Sequence, residues 1–135
     1  MASVQEMVDK ARQRVAVVTR EQLEAELTGG ALVVDIRDPR ERWRDGTIAG
    51  AKSVPRGMLE FWADPDSEYH KPFFDRKRRT ILYCAGGMRS ALAALTLMEM
   101  GFEDVAHLEI GFDGWKRSGG AIADVSVPKD LKPNR

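Results

Sequence analysis

Short apolar segments that alternate with helical segments constrain the fold of this chain more than any other feature. Apart from Asp35, residues 31–36 are apolar at successive rather than alternate positions, as expected for a parallel strand that is covered on both faces. Further segments of strand character lie at residues 15–18, 51–54, 80–83 and 104–108, with helical patterns between them. Because strands that alternate with helices form right-handed crossovers in one parallel sheet, we predict an α/β fold.

Periodic apolar positions and capping residues predict the helices. Residues 4–15 repeat apolar side chains at helical spacing among charged ones, which predicts an amphipathic N-terminal helix that covers the core. Thr19 and Gln22 have the spacing of a capping box at the start of the next helix. Residues 91–100 are apolar on nearly all sides, which predicts a largely buried helix that ends at Gly101.

The length of 135 residues fits one domain with a sizeable core, and no internal repeat competes with this interpretation. We predict a helical extension at residues 1–14, the folded domain at residues 15–124 and a mobile C-terminal tail at residues 125–135. The tail is predicted because Pro128 and Pro133 lie in a charged segment at the end of the chain.

Charge and composition argue against several classes of partner. The chain has 21 lysine and arginine residues against 21 aspartate and glutamate residues, which gives no support for binding of nucleic acid or of an anionic membrane. No apolar run approaches the length of a transmembrane helix, and residues 1–18 lack the apolar core of a signal peptide. The single cysteine cannot form an internal disulfide, so a free thiol in a reducing compartment is expected, with the cytoplasm as the default.

That single cysteine, Cys84, stands where a strand turns into a helix. The apolar residues 81–83 precede it, and Gly86 and Gly87 follow in the turn. A parallel strand that ends in such a turn delivers its last side chain to the carboxyl edge of the sheet, where α/β folds bind their ligands. The unpaired N–H groups and the dipole of the next helix favour negative charge there, so we predict a thiolate nucleophile. The alternative is a buried cysteine that only fills space, but a filler needs neither the two glycines nor the nearby Arg89.

The segment from Cys84 to Ser90 resembles the signature of the rhodanese-like sulfurtransferases, which is a cysteine, four loop residues, an arginine and a small hydroxyl residue. The resemblance extends over most of the chain through three further segments, at residues 33–37, 46–55 and 111–115. It implies a single rhodanese-like domain with a five-stranded parallel sheet and helices on both faces. It also implies a reaction in which the Cys84 thiolate takes the outer sulfur of a small sulfur-containing anion such as thiosulfate, releases sulfite and passes sulfur to a thiol or protein acceptor.

The backbone of the loop after the cysteine is expected to bind the substrate, because its amides form a nest for negatively charged sulfur. The loop residues are Ala85, Gly86, Gly87, Met88, Arg89 and Ser90. Gly86 and Gly87 are expected to adopt positive φ, and Ser90 is expected to cap the helix rather than touch the substrate. Arg89 either binds the sulfite-like leaving group with its planar fork or forms a salt bridge that braces the loop.

Other polar residues receive structural interpretations. Asp35 and Arg37 end a neighbouring strand at the same edge of the sheet, where an ion pair between them is preferred over contact with substrate. The two histidines, His70 and His107, lack zinc-site spacing with Cys84, so they are interpreted as structural and no metal or other cofactor is expected. We expect the pocket beside Cys84 to have an apolar wall formed by Met88, Phe61 and Trp62.

Two alternatives compete with a sulfurtransferase. A cysteine-loop phosphatase or arsenate reductase uses a similar strand, loop and helix. However, relatives that process phosphate-sized anions have one more residue between cysteine and arginine, and arsenate reduction through an internal disulfide needs a second cysteine. A non-catalytic persulfide carrier or regulatory sulfur-binding module remains compatible with every residue named above.

Overall fold

A five-stranded parallel sheet runs through the centre of residues 1–131, the part of the chain that the computed structural model describes. The strands are β1 (Ala16–Val18), β2 (Leu32–Asp35), β3 (Lys52–Ser53), β4 (Thr80–Tyr83) and β5 (Val105–Leu108). Their spatial order is β1-β5-β4-β2-β3, and every neighbouring pair is parallel. The predicted α/β fold with one parallel sheet is confirmed.

The same residues contain six α-helices. They are α1 (Val4–Arg14), α2 (Arg20–Glu26), α3 (Pro39–Asp45), α4 (Leu59–Ala63), α5 (Met88–Glu99) and α6 (Gly111–Arg117). Short 3₁₀ turns lie at Arg56–Met58 and Lys129–Leu131. The predicted capping box forms at the start of α2, where the Thr19 side chain accepts from the backbone N–H of Gln22 and the Gln22 side chain accepts from that of Thr19. No helix within residues 1–131 is long and apolar enough to cross a membrane.

Helices cover both faces of the sheet, as predicted. Successive residues of a strand point to opposite faces, so Leu82 lies in one apolar cluster and its neighbours Ile81 and Tyr83 lie in the other. The first cluster includes the buried face of α5, against which α1 packs. The second includes side chains of α2 and α6, among them Trp115, which is buried in the core.

The start of α5 differs from the prediction. This helix begins at Met88, three residues before the predicted start at residue 91. Gly87 is its N-cap residue, with φ +97° and ψ −9°, so the chain turns from the cysteine loop directly into the helix. Ser90 is therefore the third residue of α5, and the prediction that its side chain caps the helix is wrong.

The C-terminal tail lies only partly within the described structure. Residues 132–135 of the predicted tail lie outside the described residues, and the segment before them is exposed for the most part. Its mobility stays a prediction.

Candidate functional site

Cys84 lies directly after β4, at the carboxyl edge of the sheet, and its side chain is buried. The backbone N–H of Gly87 donates to its Sγ atom at 3.1 Å, and the N–H of Ser90 donates to the same atom at 3.4 Å. These donors belong to the loop and the first turn of α5, where helix N–H groups have no partner within the helix. The sequence prediction that the loop amides face the sulfur therefore agrees with the geometry at these two positions.

The loop holds this shape because α6 binds its carbonyl groups. The N–H of Phe112 donates to the carbonyl of Cys84 at 2.8 Å, and the N–H of Asp113 donates to that of Ala85 at 3.0 Å. Gly111 has φ +67°, and a Cβ atom on it would overlap the carbonyl of Ala85. The N–H groups of α6 thus bind the carbonyls on one side of the loop, and the amides of Gly87 and Ser90 face the sulfur on the other side.

The two glycines of the loop are not equivalent. Gly87 has φ +97°, and a Cβ atom there would overlap the backbone carbonyl of Glu109. Gly86 does not have positive φ, and a Cβ atom there would meet nothing within 4 Å. The prediction of positive φ is therefore right for Gly87 and wrong for Gly86.

A hydrogen-bonded chain connects Cys84 with His107 of β5. Cys84 Sγ lies 3.6 Å from Ser90 Oγ, which lies 2.8 Å from His107 Nδ1. His107 is fully buried, and burial lowers its pKa, which favours the neutral imidazole. When Nδ1 of that neutral ring accepts a hydrogen bond from the Ser90 hydroxyl, the hydroxyl oxygen can itself accept a hydrogen bond from the Cys84 thiol.

The sequence predicts a structural role for His107, and the position of this residue in a strand gives no sign of its link to Cys84. Its second ring nitrogen, Nε2, is buried and has no hydrogen-bond partner among residues 1–131. The connection depends on the pairing of β4 with β5, which brings together Ser90 and a residue 17 positions later in the chain.

Arg89 points its planar fork at Glu41 of α3. Its Nη1 and Nη2 atoms donate to the two carboxylate oxygens at 2.9 and 3.0 Å. The hydrogen bond from Arg89 lowers the pKa of Glu41, and it raises the pKa of Arg89 against the effect of burial. Of the two roles considered for Arg89, the described structure contains the salt bridge.

Glu41 was not singled out as a site residue, although the sequence carries one signal for it. Asp38 and Glu41 have capping-box spacing, and the box forms at the start of α3. The box holds the Glu41 carboxylate at the first turn of α3, and its oxygens also receive Arg89.

Asp35 and Arg37 form a buried ion pair, with Arg37 Nη2 at 2.7 Å from Asp35 Oδ2. Tyr83 donates to the same carboxylate oxygen at 2.9 Å, and Arg37 also donates to the carbonyl of Gly46. Burial raises the pKa of Tyr83, and the nearby charge of Asp35 adds to the rise. Asp35 and Tyr83 lie on the sheet face opposite Cys84, so the pair holds the end of β2 and does not contact the sulfur.

A cavity of about 370 Å³ opens beside the sulfur. Its lining residues are Val4, Val8, Cys84, Gly86, Met88, Arg89 and Leu92. Met88 was expected there, but Phe61 and Trp62 lie elsewhere: Phe61 packs edge-on against Tyr69, and Trp62 packs on the core. Within residues 1–131, no group of three or more histidine, cysteine, aspartate or glutamate side chains is placed to hold a metal ion.

Similar proteins are known from sequence and structure. One solved structure is that of a protein of unknown function from Rhodopseudomonas palustris, described as a possible tyrosine phosphatase. Its sequence is 46% identical to this chain, and the two structures superpose with a TM-score of 0.86 over 91% of this chain and 96% of the other. The thiosulfate sulfurtransferase GlpE of Stutzerimonas stutzeri is 32% identical over 99 residues, which are 73% of this chain and 82% of the relative. The probable adenylyltransferase/sulfurtransferase MoeZ of Mycobacterium tuberculosis is 32% identical over 85 residues, which are 63% of this chain but 20% of that protein.

The chain thus spans about a fifth of MoeZ and most of the other two proteins. The family model of the rhodanese-like domain matches residues 19–118, from the start of α2 to the end of α6. This range includes the cysteine loop, Glu41 and His107, whereas α1 precedes it. The resemblance predicted from the sequence is confirmed, and the chain belongs to the rhodanese-like domain family.

Proposed function

We propose that this protein is a sulfurtransferase that moves sulfane sulfur from a small anion such as thiosulfate to a thiol acceptor through a persulfide on Cys84. The observation that carries the proposal is the position of Cys84 Sγ, at the carboxyl edge of the sheet within hydrogen-bond distance of two backbone N–H groups. Such donors stabilise negative charge on the thiolate and on the terminal sulfur of a persulfide. The reaction needs no cofactor.

In the first half-reaction, the Cys84 thiolate attacks the outer sulfur of thiosulfate. A bond forms between Sγ and that sulfur, the original sulfur–sulfur bond breaks, and sulfite leaves with the bonding electron pair. In the second half-reaction, an acceptor thiolate attacks the terminal sulfur of the persulfide, and Cys84 departs as a thiolate. The amides of Gly87 and Ser90 stabilise the cysteine sulfur when it departs.

The name of GlpE supports sulfur transfer, and the loop geometry supports it over the phosphatase alternative suggested by the name of the Rhodopseudomonas palustris relative. Phosphate transfer needs a ring of donors wide enough for a tetrahedral anion and a free arginine fork to bind it. Here only four residues separate Cys84 from Arg89, and Glu41 already occupies both prongs of the fork. A free thiolate nucleophile also suits a reducing compartment, so we place the activity in the cytoplasm.

The test distinguishes an enzyme from a persulfide carrier. The protein is mixed with excess thiosulfate and a small acceptor thiol, and the sulfite released per protein molecule is followed over time. An enzyme releases many equivalents, and Cys84→Ser releases none. Release of one equivalent followed by arrest would instead support a carrier that delivers its sulfur to a dedicated protein.

A further inference from the structure

The helix that precedes the family match forms part of the cavity beside the nucleophile. Val4 and Val8 of α1 both line it, together with Met88 and Leu92 from α5. We propose that α1 completes a pocket for an apolar substituent on the sulfur donor, so that organic thiosulfonates are better donors than thiosulfate. This inference rests on the proposed sulfur transfer and names the class of donor for it.

The packing of α1 against α5 fixes the position of this helix. Val8 and Ala11 are fully buried, and the helix lies against α5. Ser3 caps its first turn by accepting from the backbone N–H of Glu6. Because one turn of α1 separates Val4 from Val8, both side chains lie on the same face of the helix and reach the same cavity. The apolar wall is therefore a fixed feature of the site.

The shape and chemistry of the cavity suit a small organic group. Its volume of about 370 Å³ lies within the range of small-molecule sites, about 300–1,000 Å³. Apart from the sulfur of Cys84 and the guanidinium of Arg89, the side chains that line it are apolar. A phenyl or alkyl group placed there would leave water for contact with Val4, Val8 and Met88.

The charge of the site points in the same direction. Arg89 is the one cationic side chain among the described residues that line the cavity, and Glu41 binds both of its prongs. Thiosulfate is a dianion, and the one guanidinium near Cys84 is already paired with Glu41, so its charge offsets the repulsion between dianion and thiolate only in part. A thiosulfonate is a monoanion that offers the same outer sulfur to the amides of Gly87 and Ser90 and places its carbon substituent against α1.

The chemical step is balanced without an oxidant or reductant. The Cys84 thiolate attacks the outer sulfur of the thiosulfonate and forms the persulfide bond. The bond between the two sulfur atoms of the donor breaks, and the organic sulfinate leaves with the electron pair. One negative charge remains on the persulfide and one on the sulfinate, as on the two reactants.

The experiment measures persulfide formation in a single turnover by intact mass at increasing concentrations of three donors. The three donors are thiosulfate, methanethiosulfonate and benzenethiosulfonate. To correct for the intrinsic reactivity of each donor, its rate with the protein is divided by its rate with a low-molecular-weight thiol. We expect benzenethiosulfonate to half-saturate the native protein at a concentration about tenfold or more below that of methanethiosulfonate. Thiosulfate is expected to need the highest concentration.

Variants test whether α1 is responsible. Val4 and Met88 are exposed enough to change without loss of the fold, so Val4→Gln and Met88→Gln should each reduce the preference for the phenyl donor severalfold. The matched control is Met7→Gln, an exposed apolar residue of the same helix that does not line this cavity, and it should leave the preference unchanged.

The outcomes separate this inference from the proposed function. Equal use of the methyl and phenyl donors, preference for thiosulfate, or an equal effect of Met7→Gln and Val4→Gln would overturn the apolar pocket while sulfur transfer stood. Failure of all three donors to load Cys84 would overturn the proposed function itself.

Discussion

Replacement of Gly87 by alanine, compared with the same change at Gly86, tests how the loop holds the sulfur. Gly87 has φ +97°, a conformation that costs an L-residue about 1–2 kcal/mol. An added Cβ atom would also overlap the backbone carbonyl of Glu109, and relief of such overpacking costs about 1–3 kcal/mol. The sum predicts that Gly87→Ala lowers the free energy of unfolding by about 2–5 kcal/mol, and the melting temperature by about 8–20 °C.

The same change should affect the chemistry. In the native protein the N–H of Gly87 donates to Cys84 Sγ at 3.1 Å. The added Cβ atom would force the backbone of residue 87 away from Glu109 and so disturb this hydrogen bond. Loss of one donor to an atom on which charge develops slows comparable reactions by about a hundredfold. Negative charge returns to Cys84 Sγ when an acceptor thiol takes the outer sulfur, so we expect that transfer to slow at least about tenfold. Gly86→Ala has room for its methyl group, so its unfolding free energy should stay within about 0.5 kcal/mol of the native value.

The assay combines thermal unfolding, followed by circular dichroism, with single-turnover transfer of sulfur from the loaded protein to an acceptor thiol, at a temperature where both variants are folded. The reasoning is refuted if Gly87→Ala matches Gly86→Ala in melting temperature and rate. It is also refuted if Gly87→Ala loses stability while its folded fraction transfers sulfur at the native rate.

Three further predictions follow from buried and partly buried contacts. Asp35→Asn leaves the buried Arg37 without its counter-charge and should lower the unfolding free energy in urea by about 3–5 kcal/mol; a loss below about 1 kcal/mol would contradict the ion pair. Burial lowers the pKa of His107 in the folded state, so the unfolded state takes up the proton first and stability should fall as the pH drops below about 6.5. His107→Asn should weaken that dependence in urea unfolding between about pH 7.5 and pH 5.5, and an unchanged slope would show that the imidazole does not cause it. Arg89→Lys removes the planar fork that binds Glu41. Because the Arg89 and Glu41 side chains are 43% and 20% exposed, the loss should cost only about 1 kcal/mol of stability and should slow both half-reactions equally. Slowing confined to persulfide formation would instead assign Arg89 to the leaving group.

The parts of the site that sequence reasoning found are local. The strand, turn and helix around Cys84 follow from an apolar run and two glycines, and the ion pair between Asp35 and Arg37 joins residues only two positions apart. The covered sheet was also predictable, because residues 32–34 of β2 are apolar at successive positions. Each of these features depends on neighbours in the chain.

The parts that sequence reasoning missed depend on distant contacts. Arg89 meets Glu41 across 48 positions of the chain, and the sequence alone could not choose between this partner and a sulfur anion. Gly87 differs from Gly86 in its positive φ and in the position of Glu109, whose carbonyl excludes a side chain at Gly87. Neither difference can be read from two adjacent glycines in the sequence. The apolar wall from α1 arises in the same way, through the packing of α1 on α5.

The central claim is that Cys84 carries sulfur as a persulfide, and intact-mass analysis with peptide mapping tests it most directly. After incubation with thiosulfate, the native protein should gain the mass of one sulfur atom, the gain should map to the peptide that contains Cys84, and an acceptor thiol should remove it. Cys84→Ser should gain nothing, because Cys84 is the only cysteine in the chain. A native protein that never gains the mass, or a Cys84→Ser variant that still transfers sulfur, would contradict the account.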